Sequence, residues 1–150
     1  MRQTSFIDAT WIQVRDGNDE GRAIFDGHYS RHHYRDGRKP LLYVGPGEKL
    51  VLLTPDASAL FVWRKFRSRD NQQGVNCAIF RNEGAQRSSD LIRAAMVLAW
   101  ERWPNQRLYT YVDPGKIRPK RDPGRCFLRA GWRYCGWTKV RRLRILEVLP

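Results

Sequence analysis

The chain predicts a single α/β domain, a mixed sheet with helices on both of its faces. Three observations carry that reading. Apolar runs of strand length alternate with helix-period stretches in the order helix, hairpin, strand, helix, strand, helix, strand, strand. One long helical pattern opens at Ser88, directly after an apolar strand and a polar turn. The 150 residues, 41% hydrophobic and 29% charged, suit one domain that buries a core without disulfide staples. Residues 1–40 divide as an N-terminal strand, helix and basic loop, and residues 41–150 as the core sheet with its helices.

Taken in order, Ser5–Val14 alternates loosely and forms a short strand, and Asp16-Gly17-Asn18-Asp19 is a turn cluster. The spacing of Ala23, Ile24, Phe25 and His28 predicts a short helix from Glu20 that ends near Ser30. Arg31–Pro40 is basic and turn-rich, an exposed loop. Lys49–Thr54 and Ala59–Phe66 are strands of a hairpin joined through Pro55-Asp56-Ala57-Ser58. After the loop Arg67–Gly74 comes the strand Val75–Phe80. The helix that follows carries Leu91, Ile92, Ala95, Met96, Leu98, Ala99 and Trp103 close to a 3.6-residue period. Ser88 or Ser89 is its expected cap and Pro104 its stop. Leu108–Val112 is a strand ending at Asp113-Pro114-Gly115, and Lys116–Arg121 is a basic loop. A helix over Pro123–Ala130 ends at Gly131. Trp132–Trp137 and Leu143–Val148 close the chain as an antiparallel hairpin.

The charge balance speaks of partners. Lys and Arg number 28 against 15 Asp and Glu, a net charge of +13, which points to a polyanion, nucleic acid foremost. Arginine supplies most of it and suits bidentate phosphate contacts. No apolar run approaches the roughly 18 residues of a membrane span, and the mixed polar start after Met1 is not expected to act as a signal peptide. Three cysteines, none in a CxxC pair, fit a reduced cytoplasm. A monomer or homodimer is expected.

The stretch Val75–Trp103 is a candidate anion site, because a strand that passes through a loop into a helix leaves free amides and a helix dipole facing a ligand. The order of elements and the ending Phe127-Leu128-Arg129-Ala130-Gly131-Trp132 resemble the GNAT acyltransferases over roughly residues 20–148. The resemblance implies a single GNAT-like domain with a largely antiparallel sheet. It also implies a turn that holds the pyrophosphate of coenzyme A, falling here on Arg81, Gly84, Arg87, Ser88 and Ser89. The turn Arg81-Asn82-Glu83-Gly84-Ala85-Gln86 departs from the family's glycine-rich form, having one glycine and an internal glutamate.

Three short patches resemble the Mom-type bacteriophage DNA-modification enzymes within that superfamily: Gly27-His28-Tyr29-Ser30, Arg87-Ser88-Ser89-Asp90, and Tyr111-Val112-Asp113 followed by Gly124-Arg125-Cys126-Phe127. The family's tyrosine falls on Phe127, which has no hydroxyl, with Tyr134 as a neighbouring substitute. The resemblance implies a transferase acting in a bacterial host cell that places an acetamide-like group on N6 of adenine and so protects DNA from restriction.

The residues themselves support specific roles. His28 titrates near neutral pH and can act as base or acid; bonding to a backbone carbonyl at a helix end is its structural alternative. Tyr29 can stack or donate a hydrogen bond. Asp113, at a strand's carboxyl end, can orient His28 or accept from an exocyclic amine, and Asp-Pro-Gly is also a good turn by itself. Ser89 completes the candidate catalytic set. His28, His32 and His33 lack a remote fourth ligand, so no metal is expected. Two basic loops, Arg31, Arg35, Arg38 and Lys39, and Lys116, Arg118, Lys120, Arg121 and Arg125, can follow a phosphate backbone, with Tyr29, Tyr34, Trp132 and Trp137 available to stack on an extruded base. Arg141, Arg142 and Arg144 read as charges that protect a strand edge. The donor is not specified by these residues; acetyl coenzyme A or a related acyl or glycyl donor is compatible. Two other readings share the scaffold. One is a conventional acetyl-coenzyme A-dependent N-acetyltransferase acting on an RNA, aminoacyl-tRNA or protein amine. The other is a non-enzymatic nucleic-acid binder.

Overall fold

The structure, a computed structural model, describes residues 10–27, 42–116 and 122–150. Seven strands form one open sheet: β1 (Ile12–Val14), β2 (Glu48–Leu53), β3 (Ala59–Lys65), β4 (Val75–Asn82), β5 (Leu108–Val112), β6 (Arg133–Trp137) and β7 (Arg144–Val148). Their spatial order is β1-β2-β3-β4-β5-β7-β6, and every neighbouring pair is antiparallel except β4 and β5. Three α-helices, α1 (Asp19–Asp26), α2 (Ser88–Arg102) and α3 (Arg125–Arg129), accompany the sheet among the described residues.

Strand periodicity divides the core in two. Ala59, Phe61 and Trp63 of β3 pack with α2 residues such as Leu91, Ile92 and Ala95 and with Phe127 of α3. The alternate residues Leu60 and Val62 pack instead with Ile24 of α1. The sheet is therefore covered by α2 and α3 on one face and by α1 on the other, as the sequence predicts. β3 is buried on both faces, which explains its unbroken apolar run. Indole N–H groups tie the layers together: Trp63 Nε1 donates to Ala95 O at 2.9 Å and Trp11 Nε1 to Leu91 O at 3.0 Å.

Element boundaries show where local chemistry overrides periodicity. α1 starts one residue earlier than predicted, because Asn18 Oδ1 accepts from Gly21 N at 2.9 Å. It also stops earlier, at Asp26, where the Gly27 N–H folds back to Ile24 O. α3 is shorter than the predicted Pro123–Ala130, since Gly124 sits at φ +71 as its cap. β4 runs two residues past the predicted Phe80. The predicted serine cap of α2 is corrected: Arg87 occupies the cap position, no side chain caps the helix, and Ser88 and Ser89 lie inside the first turn. Within β1, the described strand covers Ile12–Val14, and the start of the predicted Ser5–Val14 segment lies outside the described residues.

Candidate active site

The one parallel pair in the sheet is also the one that parts. β4 and β5 are in register at Val75–Leu108, Asn76–Tyr109 and Cys77–Thr110, and no further. β4 continues to Asn82 and β5 to Val112 without pairing to each other, each held there by its other neighbour, β3 or β7. Divergence begins beside a β4 irregularity: Val62 faces Ile79 while Trp63 faces Cys77, so Ala78 is an extra residue with no partner in β3. A bulge of this kind bends its strand and increases local twist. On the β5 side the gap is held by Thr110 Oγ1, which donates to Cys77 O at 3.0 Å.

A cavity of about 750 Å³ fills the space between the parted strands. Cys77, Phe80, Val112 and Phe127, members of the α2-side core or packed against it, line one part. Asn76, Ala78 and Tyr111, from the opposite face of the sheet, line another part. The slot is thus lined by residues from both faces of the sheet.

Electrostatically it favours an anion. Arg87, Lys116, Arg125, Arg129 and Arg141 stand on the wall against Asp113 and Asp122, five cationic side chains to two carboxylates. The first turn of α2 contributes Ser88 and Ser89 to the same wall, and its uncapped amides add the positive end of a 15-residue helix. Asn82 shapes the approach to that turn. Its Oδ1 accepts from Gly84 N at 2.9 Å, and its Nδ2 donates to Gln86 O at 2.7 Å and Ser88 Oγ at 3.1 Å. The side chain thereby supplies the turn geometry that a second glycine would otherwise provide.

Most of the predicted site residues within the described part of the chain converge on this slot: Asp113, Arg87, Ser88, Ser89, Lys116 and Arg125 all line it. Asp113 is the turn-former that its Asp-Pro-Gly sequence predicts, and it also lies on the cavity wall. Its Oδ1 accepts from Gly115 N at 2.9 Å, opening the 3-10 turn Pro114–Lys116. Arg81 and Gly84 are not on the wall. The Arg81 guanidinium pairs with Glu83 at 2.7 Å, and Gly84 packs closely against Ser58. His28, Tyr29, Arg31, Arg35, Arg38, Lys39, Arg118, Lys120 and Arg121 lie outside the described residues, as do His32, His33 and Tyr34. Gly27, immediately before His28, abuts the Arg81 guanidinium, where an added Cβ would come within 3.1 Å of Cζ.

Phe127 sits 6% exposed between Phe80 and Trp132, a core aromatic at the cavity wall. Tyr134 does not replace its missing hydroxyl, because its Oη donates to Pro123 O at 2.7 Å and the residue is not on the wall. Trp132, a candidate stacking residue by sequence, is 3% exposed and packed on Trp63. Cys77 is inert: burial pushes its thiol well above the ordinary range.

Two wall residues were given no role by the sequence, Asn76 and Tyr111, although Tyr111 belongs to the Tyr111-Val112-Asp113 patch. Asn76 is 6% exposed, and its Oδ1 has no hydrogen-bond partner among the described residues. A buried, unpaired acceptor on a cavity wall is suited to a ligand N–H or a bound water. The signal was present, a lone amide inside the apolar run Val75–Phe80. Tyr111 Oη donates to Asp70 Oδ1 at 2.7 Å. Burial and that acidic neighbour push the phenol far above its usual value, so it stays protonated. No protein-family model, curated protein or solved structure matches the chain.

Proposed function

We propose that the protein is a GNAT-like transferase of the Mom-type, modifying the exocyclic N6 of adenine in DNA with an acetamide-like group in a bacterial cytoplasm. The observation that carries the reading is the slot between the diverging β4 and β5, lined by residues from both faces of the sheet beside an uncapped helix start. A group-transfer enzyme must hold two reacting groups together in the right orientation, and a slot of about 750 Å³ has room for both. The donor's anionic part lies at Arg87, Ser88 and Ser89, with acetyl coenzyme A or a related acyl or glycyl donor as the source of the carbon. The adenine enters from the opposite side, extruded from the duplex or single-stranded. Its N6 attacks the donor's activated carbon as the bond from that carbon to the donor's leaving group breaks, and the leaving group departs with the electron pair. His28 takes the proton released from N6, and Asp113 orients His28. Tyr29 stacks against the adenine. The basic loops, with Lys116 and Arg125 at the rim, hold the phosphate backbone.

The test is expression in a bacterium, digestion of the genomic DNA to nucleosides, and mass spectrometry for a modified deoxyadenosine. Wild-type protein yields the modified nucleoside and His28→Ala abolishes it. An unmodified digest from well-folded protein rejects the reading, and a full-height peak from His28→Ala rejects the catalytic assignment. The uncapped α2 start also favours a second reading, an acetyl-coenzyme A-dependent N-acetyltransferase with an RNA, aminoacyl-tRNA or protein amine as acceptor. That reading requires acetyl coenzyme A to raise the melting temperature and an amine acceptor to be acetylated.

A further inference from the structure

The hairpin β6–β7 places a basic, hydrogen-bonded tip at the slot, with Arg141 and Leu143 on its wall. Residues 133–146 contain Arg133, Lys139, Arg141, Arg142 and Arg144 and no acidic residue. Only Arg133 is in an ion pair among the described residues, with Glu147. The loop is held at its base by Thr138 N donating to Leu143 O and Leu143 N to Thr138 Oγ1, both at 2.9 Å. Arg142 adopts φ +56 to close it. Below the tip the Arg144 guanidinium lies 3.9 Å from the Tyr134 ring centre and 4.4 Å from that of Trp137, with Arg142 at 5.6 Å from Trp137. Val140 caps the loop at 92% exposure, flanked by Lys139 and Arg141. A single exposed valine needs no explanation on an ordinary surface. This one stands between cations on a preordered tip, and Arg141 and Leu143 of the same loop line the slot.

We infer that the β6–β7 tip is a duplex-DNA wedge: Lys139, Arg141 and Arg142 grip phosphates while Val140 enters the base stack beside the extruded adenine. Apolar side chains that unstack base steps are used in this way by proteins that deform DNA, and a base that leaves the stack leaves a gap to fill. A preordered loop loses little entropy on binding. The inference rests on the DNA reading above, which it deepens by assigning the surface that opens the duplex.

Two readouts separate the claims. Duplex binding is measured by fluorescence anisotropy over a salt series, with 2-aminopurine beside the target adenine reporting unstacking. K139Q/R141Q/R142N, in which asparagine keeps the left-handed position, should weaken binding on the order of tenfold and reduce the slope of log affinity against log salt by about two to three. Val140→Gly should lose most of the 2-aminopurine increase, and Val140→Leu should retain it. Unchanged salt slope in the triple variant, or an unchanged fluorescence rise in Val140→Gly, overturns the wedge. The deoxyadenosine assay is run on the same wild-type protein. Modified DNA together with indifferent hairpin variants refutes the wedge alone. Hairpin-dependent binding and unstacking without a modified nucleoside supports the wedge and refutes the modification.

Discussion

Replacing Glu147 with glutamine removes a negative charge from between two guanidinium groups, and the geometry sets the cost. Glu147 is on β7, opposite Tyr109 of β5 and Arg133 of β6, and is 8% exposed. Its Oε1 accepts from Arg107 Nε at 2.7 Å, and its Oε2 from Arg133 Nη2 at 2.6 Å and Nε at 2.9 Å. The Arg107 hydrogen bond, joined by those from Arg133, outweighs burial and holds the carboxyl below its ordinary value. The Arg133 side chain is 69% exposed, so water screens that pair; Arg107 is 18% exposed and carries most of the energy. A hydrogen bond to a charged group contributes roughly 1.5–3 kcal/mol and a neutral one about 1 kcal/mol. Exchanging the carboxylate for an amide therefore costs about 1–2 kcal/mol at Arg107, plus at most about 0.5 kcal/mol at Arg133. Because the folded-state pKa is depressed, this stabilisation is complete above the unfolded carboxyl's range and is lost as pH falls through the lower folded value. Urea denaturation of both proteins should show a penalty of about 2 kcal/mol near pH 7 that shrinks as pH drops below about 4.5. A penalty independent of pH would refute the electrostatic account and leave packing as the cause.

Three further outcomes are expected. Asn82→Ala removes three partly exposed hydrogen bonds and should cost roughly 1–2 kcal/mol in urea denaturation, because each is worth about 0.5 kcal/mol when water can replace it; a loss within error would show that the turn holds without it. Gly74→Ala should destabilise by about 2–4 kcal/mol, since φ is +114 and the new methyl collides with the Arg107 carbonyl where β4 meets β5; a near-neutral melting temperature would contradict this. Tyr111→Phe should leave the melting temperature within a few degrees yet lower the yield of modified deoxyadenosine, an effect read by nucleoside mass spectrometry on equal amounts of folded protein. Full yield would remove Tyr111 from the site.

The sequence by itself determined what repeats locally. Unbroken apolar runs located β2, β3 and β5 to within a residue or two, and the 3.6-residue pattern after Ser88 located α2, because these periodicities follow directly from backbone geometry. Asp113 was readable as a site candidate from its place at a strand end, Arg87, Ser88 and Ser89 from a helix start and the family resemblance, and Lys116 and Arg125 from a basic loop; all six line the slot. Tertiary structure decided the rest. Whether Ser88 caps α2 depends on Asn82, six residues away, whose amide engages the serine hydroxyl. Whether Trp132 or Trp137 is available to a ligand depends on which one packs against Trp63, and that is Trp132. Above all, the parting of β4 from β5 after three paired residues is a relation between segments more than 30 residues apart. No local pattern encodes it, because it arises from the bulge at Ala78 and the packing of α2 and α3 against one side of the gap. That relation turns a basic α/β chain into one with a slot lined from both faces of its sheet.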